Sequence, residues 1–120
     1  MYSEVKIGNK SVPMMSMASV DVYYREIFHE DPIKLQVTEN QDAGAMYDFT
    51  MKMAFVMAKF AELKDRKAML KLTLIDYLDW LDQFDRIDLA NALENVQRVY
   101  NGQAITTADA KKNTDGQTDS

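Results

Sequence analysis

Apolar and polar positions recur along this chain with two different periods, and the change from one to the other marks its elements. Glu4-Val-Lys-Ile7 and Ser11-Val-Pro-Met14 alternate with period two on either side of Gly8-Asn9. Alternation around such a pair predicts a small β-hairpin, and Pro13, which has no N–H to donate, belongs on an edge strand. From Ser19 the period lengthens. Val20, Tyr23, Tyr24, Ile27 and Phe28 stand at i, i+3, i+4, i+7 and i+8, predicting a short helix capped by Ser19 and ended before Asp31-Pro32. Between Pro32 and Val37 both patterns fit: Asp31 and Pro32 suit a helix start, whereas Ile33, Leu35 and Val37 alternate like a strand. Of the two we prefer the helix.

The longest helix is predicted from about Ala45 to Leu63. Its core face holds Met46, Phe49, Met53, Val56, Met57, Phe60 and Leu63, and Lys52, Lys59 and Glu62 lie on the other side. Farther on, one helix-start device occurs twice. Leu72 precedes a Thr73 cap with Asp76 and Tyr77 three and four residues on; Phe84, Asp85, Asp88 and Leu89 repeat the arrangement. A cap, an acidic third residue and a hydrophobic staple each time predict two helices with a break at Phe84-Asp85. Acidic groups there also face the positive end of the helix dipole, worth roughly 0.3 to 1 kcal/mol apiece. The first of the two helices turns Leu74, Tyr77, Leu78, Leu81 and Phe84 inward. The second buries Leu89, Leu93, Val96 and Tyr100, carries an exposed Glu94–Arg98 pair and exits at Gly102. Periodicity then stops, and the polar stretch from Thr106 to Ser120 is expected to be disordered.

The wording of this region carries a resemblance. Asp76-Tyr-Leu-Asp-Trp-Leu-Asp-Gln-Phe-Asp85, then Asp88-Leu-Ala-Asn-Ala-Leu-Glu and the Tyr100-Asn-Gly exit, resembles the tail assembly chaperones of long-tailed phages and prophages of Gram-positive bacteria. Tyr24-Arg-Glu-Ile-Phe28 is similar to that family's early helix and Ala54-Phe-Val-Met-Ala-Lys59 to its central one, whereas His29 to Gly44 aligns with nothing in it. The resemblance implies a domain that helps hold the long tape measure protein soluble and recruits subunits of the major tail tube protein onto it. It also implies residence in the host cytoplasm and absence from the mature virion. Family members are commonly made in two lengths, the longer by a ribosomal frameshift near the end of the short form. Lys111-Lys112-Asn113 is the candidate point here, because these residues can be encoded by AAA AAA AAC, which contains a heptamer on which a ribosome slips back one base, although other codons encode them equally well.

Length and composition bound the same picture independently. The 120 residues, 47% of them hydrophobic, suit one domain with a modest core, and the nine methionines are the only excess. The expected architecture is therefore mainly α: a small single-domain bundle of about four helices with an N-terminal β-hairpin, residues 1–102, and a polar tail, residues 103–120. Without cysteine there is no disulfide framework and no thiolate chemistry. A formal net charge of -5 argues against a phosphate-binding surface, so no nucleic acid partner is expected. No run approaches membrane-spanning length and the first residues lack a signal-peptide apolar stretch, which makes a reducing cytoplasm the expectation.

Candidate chemistry is sparse. Asp76, Asp79, Asp82, Asp85 and Asp88 fall at every third residue, but calcium loops place oxygen ligands mostly at alternate positions around a turn-forming glycine. Period three instead rotates carboxylates around a helix, so capping and solvation account for them and no metal site is expected. His29, the only histidine, has no serine or cysteine in a motif context to pair with, and a helix-end surface position is its expected place. Gly8, Gly44, Gly102 and Gly116 are isolated, and none belongs to a nucleotide-binding pattern. The chain reads as a non-enzyme without cofactors. What remains is contact surface: Met51 and Phe55, with Ala58, form an apolar strip roughly opposite the core stripe of the long helix, open either to burial within the monomer or to a partner or second copy. Trp80, at the edge of its helix, is open to the same two readings. A homo-oligomer is expected on this basis. The other class of function that fits is a small acidic regulatory or inhibitor module mimicking nucleic acid, but Lys52, Lys59, Lys64, Arg66, Lys67 and Lys71 interrupt the acidic surface it would need.

Overall fold

The period-two stretch forms the predicted hairpin. β1 (Tyr2–Ile7) pairs antiparallel with β2 (Lys10–Met15), Val5 opposite Val12 and Ile7 opposite Lys10. The structure is a computed structural model and describes residues 2–31 and 43–103. The helix preferred for Pro32–Val37, the disorder expected from Thr106 onward and the Lys111-Lys112-Asn113 point fall outside the described residues. Val5, Ile7 and Met14 point to the core, while on the outer face Tyr2 and Ser11 donate hydrogen bonds to the Glu4 carboxylate at 3.1 and 2.7 Å.

Gly8 turns the hairpin at φ +65°, with Asn9 outside the left-handed region, which is the arrangement of a type II′ turn. A side chain at Gly8 has no room: its Cβ would collide with the Asp88 carboxylate and come within 3.0 Å of Asp88 Cγ. Gly8→Ala is therefore expected to lower stability by about 1 to 3 kcal/mol, from left-handed strain plus displacement of Asp88. Urea denaturation checks it. Pairing the change with Asp88→Ala should recover the steric share alone, and an unaltered midpoint for Gly8→Ala would show the turn free to move off the helix.

Six helices follow among the described residues, more than the predicted four. α1 (Val20–Phe28) buries Val20, Tyr23, Tyr24 and Ile27 as its spacing requires. Ser19 precedes it without making the expected side-chain cap bond; its hydroxyl lies 3.5 Å from the Arg66 guanidinium instead. His29 closes α1 in the left-handed conformation, φ 58°, its N–H bonded to the Arg25 carbonyl at 2.8 Å, and is exposed at the helix end as expected. α2 (Ala43–Leu63) starts slightly ahead of its predicted boundary and stops at Lys64, φ 53°. The one-turn α3 (Arg66–Met69) was not foreseen; Asp65 caps it by accepting from the Lys67 N–H at 3.0 Å.

The doubled start device is realised in its main features. Thr73 and Asp76 form a complete capping box at the start of α4 (Leu74–Leu81), and Asp85 caps α5 (Arg86–Asn91) by accepting from the Ile87 N–H at 2.8 Å. All four staple residues, Leu72, Tyr77, Phe84 and Leu89, join the core. The predicted fourth helix is interrupted once. Ala92 shares its N–H between the Asp88 and Leu89 carbonyls, at 3.2 and 3.1 Å, before α6 (Leu93–Tyr100) resumes. Leu89, Ala92, Val96 and Val99 nevertheless form one continuous buried row at spacings of three and four. Gly102, φ 72°, ends α6 in a Schellman motif, with Gly102 N–H on the Val99 carbonyl (3.0 Å) and Gln103 N–H on the Arg98 carbonyl (2.7 Å).

α2 is the hub. The hairpin, α1, α4 and α6 all pack on it, so its middle turns have no solvent side. A helix apolar around its whole circumference belongs in such a position. The clasp at the domain's base is polar: the Tyr100 hydroxyl donates to Asp21 at 2.6 Å and the Ser16 hydroxyl to the Tyr100 carbonyl at 3.2 Å, tying the end of α6 to the entry of α1.

Candidate functional site

Met51, Phe55 and Trp80, the residues singled out for partner or self contact, are in the monomer core. Met51 and Phe55 have no exposed surface and Trp80 retains 5%. The apolar strip at Met51, Phe55 and Ala58 is covered by the hairpin and by the helices that ring α2, which corrects the reading of it as a contact surface. The reason lies in the aromatic side chains. Phe55 meets Phe28, Tyr77 and Trp80 with ring centroids 6.2, 5.5 and 5.9 Å away, all near edge-to-face. Phe28 and Tyr77 are themselves 5.1 Å apart, and Trp80 passes the contact on to Phe84 at 5.0 Å. Such tilted contacts add about 0.5 to 1.5 kcal/mol per pair beyond area burial. At the far end Lys10 caps the row, its ammonium 5.2 Å from the Phe84 ring centre and 3.0 Å from the Gln83 carbonyl.

Placing Tyr77 and Trp80 inside rotates α4 away from its predicted orientation. Leu74 and Leu78, expected inward, are 53% and 47% exposed, and Ile75 between them is 68% exposed. Met46, expected on the core face of α2, likewise lies at the exposed margin. Two large aromatic rings bury more apolar area than two leucines, so that face of α4 wins the interior. The signal was present in the sequence. Leu74, Ile75, Tyr77, Leu78, Trp80 and Leu81 make α4 apolar at six of its eight positions, too many for one side of a helix, so some had to face out.

The aspartates divide by role. Asp76 accepts from the Thr73 N–H at 2.9 Å, Asp85 caps α5, and Asp88 sits against Gly8. Asp79 and Asp82 are exposed, and neither carboxylate makes a hydrogen bond or ion pair among the described residues. Among those residues, no group of three His, Cys, Asp or Glu side chains is placed to hold a metal ion.

A second polar cluster joins α1 to α2. Lys52, whose side chain is only 12% exposed, bonds Glu30 at 3.1 Å and Asp48 at 3.0 Å, and its ammonium lies 5.2 Å from the Phe28 ring centre. Tyr24 donates to the other Glu30 oxygen at 2.8 Å. Burial pulls the Lys52 pKa down, but its bonds to Asp48 and Glu30 outweigh that and hold it above the ordinary value. A lysine kept protonated is the reverse of what amine nucleophiles require, so the cluster acts as a brace. The Tyr24 phenol is pushed well above its ordinary value by burial and then by its bond to Glu30, and Tyr77 is pushed up by burial and then by the charge of Asp48.

No helix among the described residues is long and apolar enough to cross a membrane. Compared with protein-family models, curated proteins and solved structures, the chain matches none.

Proposed function

We propose that this chain is a tail assembly chaperone of a long-tailed phage or prophage, binding the tape measure protein and recruiting tail tube subunits in the host cytoplasm. The observation that carries this reading is the run Asp76 to Asp85 followed by Asp88 to Glu94, whose wording resembles that family. The mainly helical domain with a hairpin is compatible with it, and the exposed apolar residues of α4 supply surface on which a client could rest. The same run of aspartates also suits an acidic regulatory module. The ordering of the two follows from Lys59, Lys64, Arg66, Lys67 and Lys71, which break up the carboxylate surface that mimicry would need.

On this reading the gene stands beside an open frame for a very long, helical, repeat-rich protein, and the two products interact. Co-expression tests it: the tape measure protein should be soluble and co-elute with this chain, and should aggregate without it. A tape measure protein equally soluble alone, or a neighbouring repressor operon in its place, would overturn the proposal. Lys111-Lys112-Asn113 remains the proposed slippage point for a longer product, and codons there that cannot slip would remove that part of the proposal without touching the rest.

A further inference from the structure

Burial of Tyr77 and Trp80 leaves α4 with a second apolar surface that stays exposed among the described residues. Leu74 and Leu78 are one turn apart, Ile75 is a turn from Leu78 on its other side, and all three are between 47% and 68% exposed. Asp79 follows Ile75 by four residues and Asp82 follows Leu78 by four, so two carboxylates border this surface toward the C-terminal end of the helix. Among the described residues neither carboxylate is committed elsewhere, in contrast to Asp76 and Asp85, whose carboxylates cap helices. From Leu72 to Asp85 the chain itself has no lysine or arginine, and Lys10, which reaches this stretch from the hairpin, is held past the end of α4 on the Gln83 carbonyl and the Phe84 ring. An exposed apolar patch rimmed by charge of one sign marks an interaction site and specifies the charge of what it meets.

We propose that the outer face of α4 docks an amphipathic helix with a basic flank, its apolar stripe on Leu74, Ile75 and Leu78 and its lysines or arginines on Asp79 and Asp82. A second copy of this chain fits less well on two counts. Its α4 would bring two more uncompensated carboxylates and no cation to the contact. The eight residues of α4 span about 12 Å, and one helix face of that length falls short of the roughly 1,000 Å² expected of a stable dimer, while it suits a weak helix-on-helix contact. The proposal rests on this geometry alone and does not depend on the chaperone reading.

The test uses the full chain and two labelled synthetic helices of 18 residues, identical in their leucine stripe but flanked by lysine in one and glutamate in the other. By fluorescence anisotropy the lysine-flanked helix should bind, at least tenfold more tightly than the glutamate-flanked one, and should weaken as salt is raised. Ile75→Ser with Leu78→Ser should weaken it at least tenfold. Asp79→Asn with Asp82→Asn should weaken it several-fold and flatten the salt dependence, a readout that stands even if the serine variant is damaged in folding. Equal binding of the two helices, no binding of the lysine-flanked one, or binding that survives both pairs of substitutions would overturn the proposal. So would concentration-dependent dimerisation abolished by the serine pair, which would assign the face to a second copy. None of these outcomes bears on whether a tape measure protein is kept soluble, so the two proposals fail separately.

Discussion

Phe55→Asp is expected to unfold the domain rather than to release an oligomer. Phe55 has no exposed surface and contacts rings from α1 and α4, so it joins three helices at one point. Truncating such a residue to Ala costs about 3 to 5 kcal/mol, and a carboxylate in the same place adds the cost of an unpaired buried charge. A small domain has about 5 to 15 kcal/mol in all. Phe55→Ala should therefore fold with a markedly lower urea midpoint, and Phe55→Asp should lose its cooperative transition and most of its helical circular dichroism. Ile75→Ser, two-thirds exposed on α4, is the matched control and should shift stability by no more than about 0.5 kcal/mol. A Phe55→Asp variant that melts like the parent would place the ring outside the core and return it to the list of contact residues.

Stability should also fall steeply in alkali. Tyr24, with no exposed surface, and Tyr77, with 4%, both have folded-state pKa values raised above the ordinary 10.0, chiefly by burial and then by the nearby carboxylates Glu30 and Asp48. Lys52 is shifted in the same direction once its two carboxylate partners outweigh its burial. For a group whose folded pKa is the higher, the contribution to stability is complete below the unfolded value and is lost as pH rises beyond it, because the unfolded chain gives up the proton first. Below about pH 9 these groups should leave stability flat. Above pH 10 each of the two tyrosines should remove about 1.4 kcal/mol per pH unit. Urea denaturation from pH 8 to 11.5 measures this, and the Tyr24→Phe, Tyr77→Phe double variant should show the shallower fall. A variant as steep as the parent would assign the alkaline loss to other groups.

The legible part of this protein is the part written in local spacing. Thr73 and Asp76 close a capping box because a cap and its acidic partner lie within one turn, and Gly102 ends α6 because only a residue free to take positive φ completes that motif cheaply. The hairpin follows from alternation around Gly8-Asn9 in the same way. The stops at His29 and Lys64 follow the end of the apolar spacing and the approach of Asp31-Pro32, although both residues adopt left-handed backbone without being glycine. The element with too little apolar periodicity to be read was α3, a single turn whose only local mark is the Asp65 cap.

Periodicity together with capping residues determined most of the helical segments, α3 excepted, where most of them start and stop, and that Leu89 and Val96 are buried. It could not decide which apolar residues face inward on a helix that has them on more than one side. On α2 that choice depended on how many neighbours surround the helix, and they cover Met51 and Phe55 as fully as Met53 and Met57. On α4 it depended on Phe28 and Phe55 offering ring edges to Tyr77 and Trp80, which turned Leu74, Ile75 and Leu78 to the surface. Capping and turn formation act between residues a few positions apart and so can be read in one dimension. The choice of buried face is a competition for area among side chains far apart in the chain, and only the assembled packing settles it.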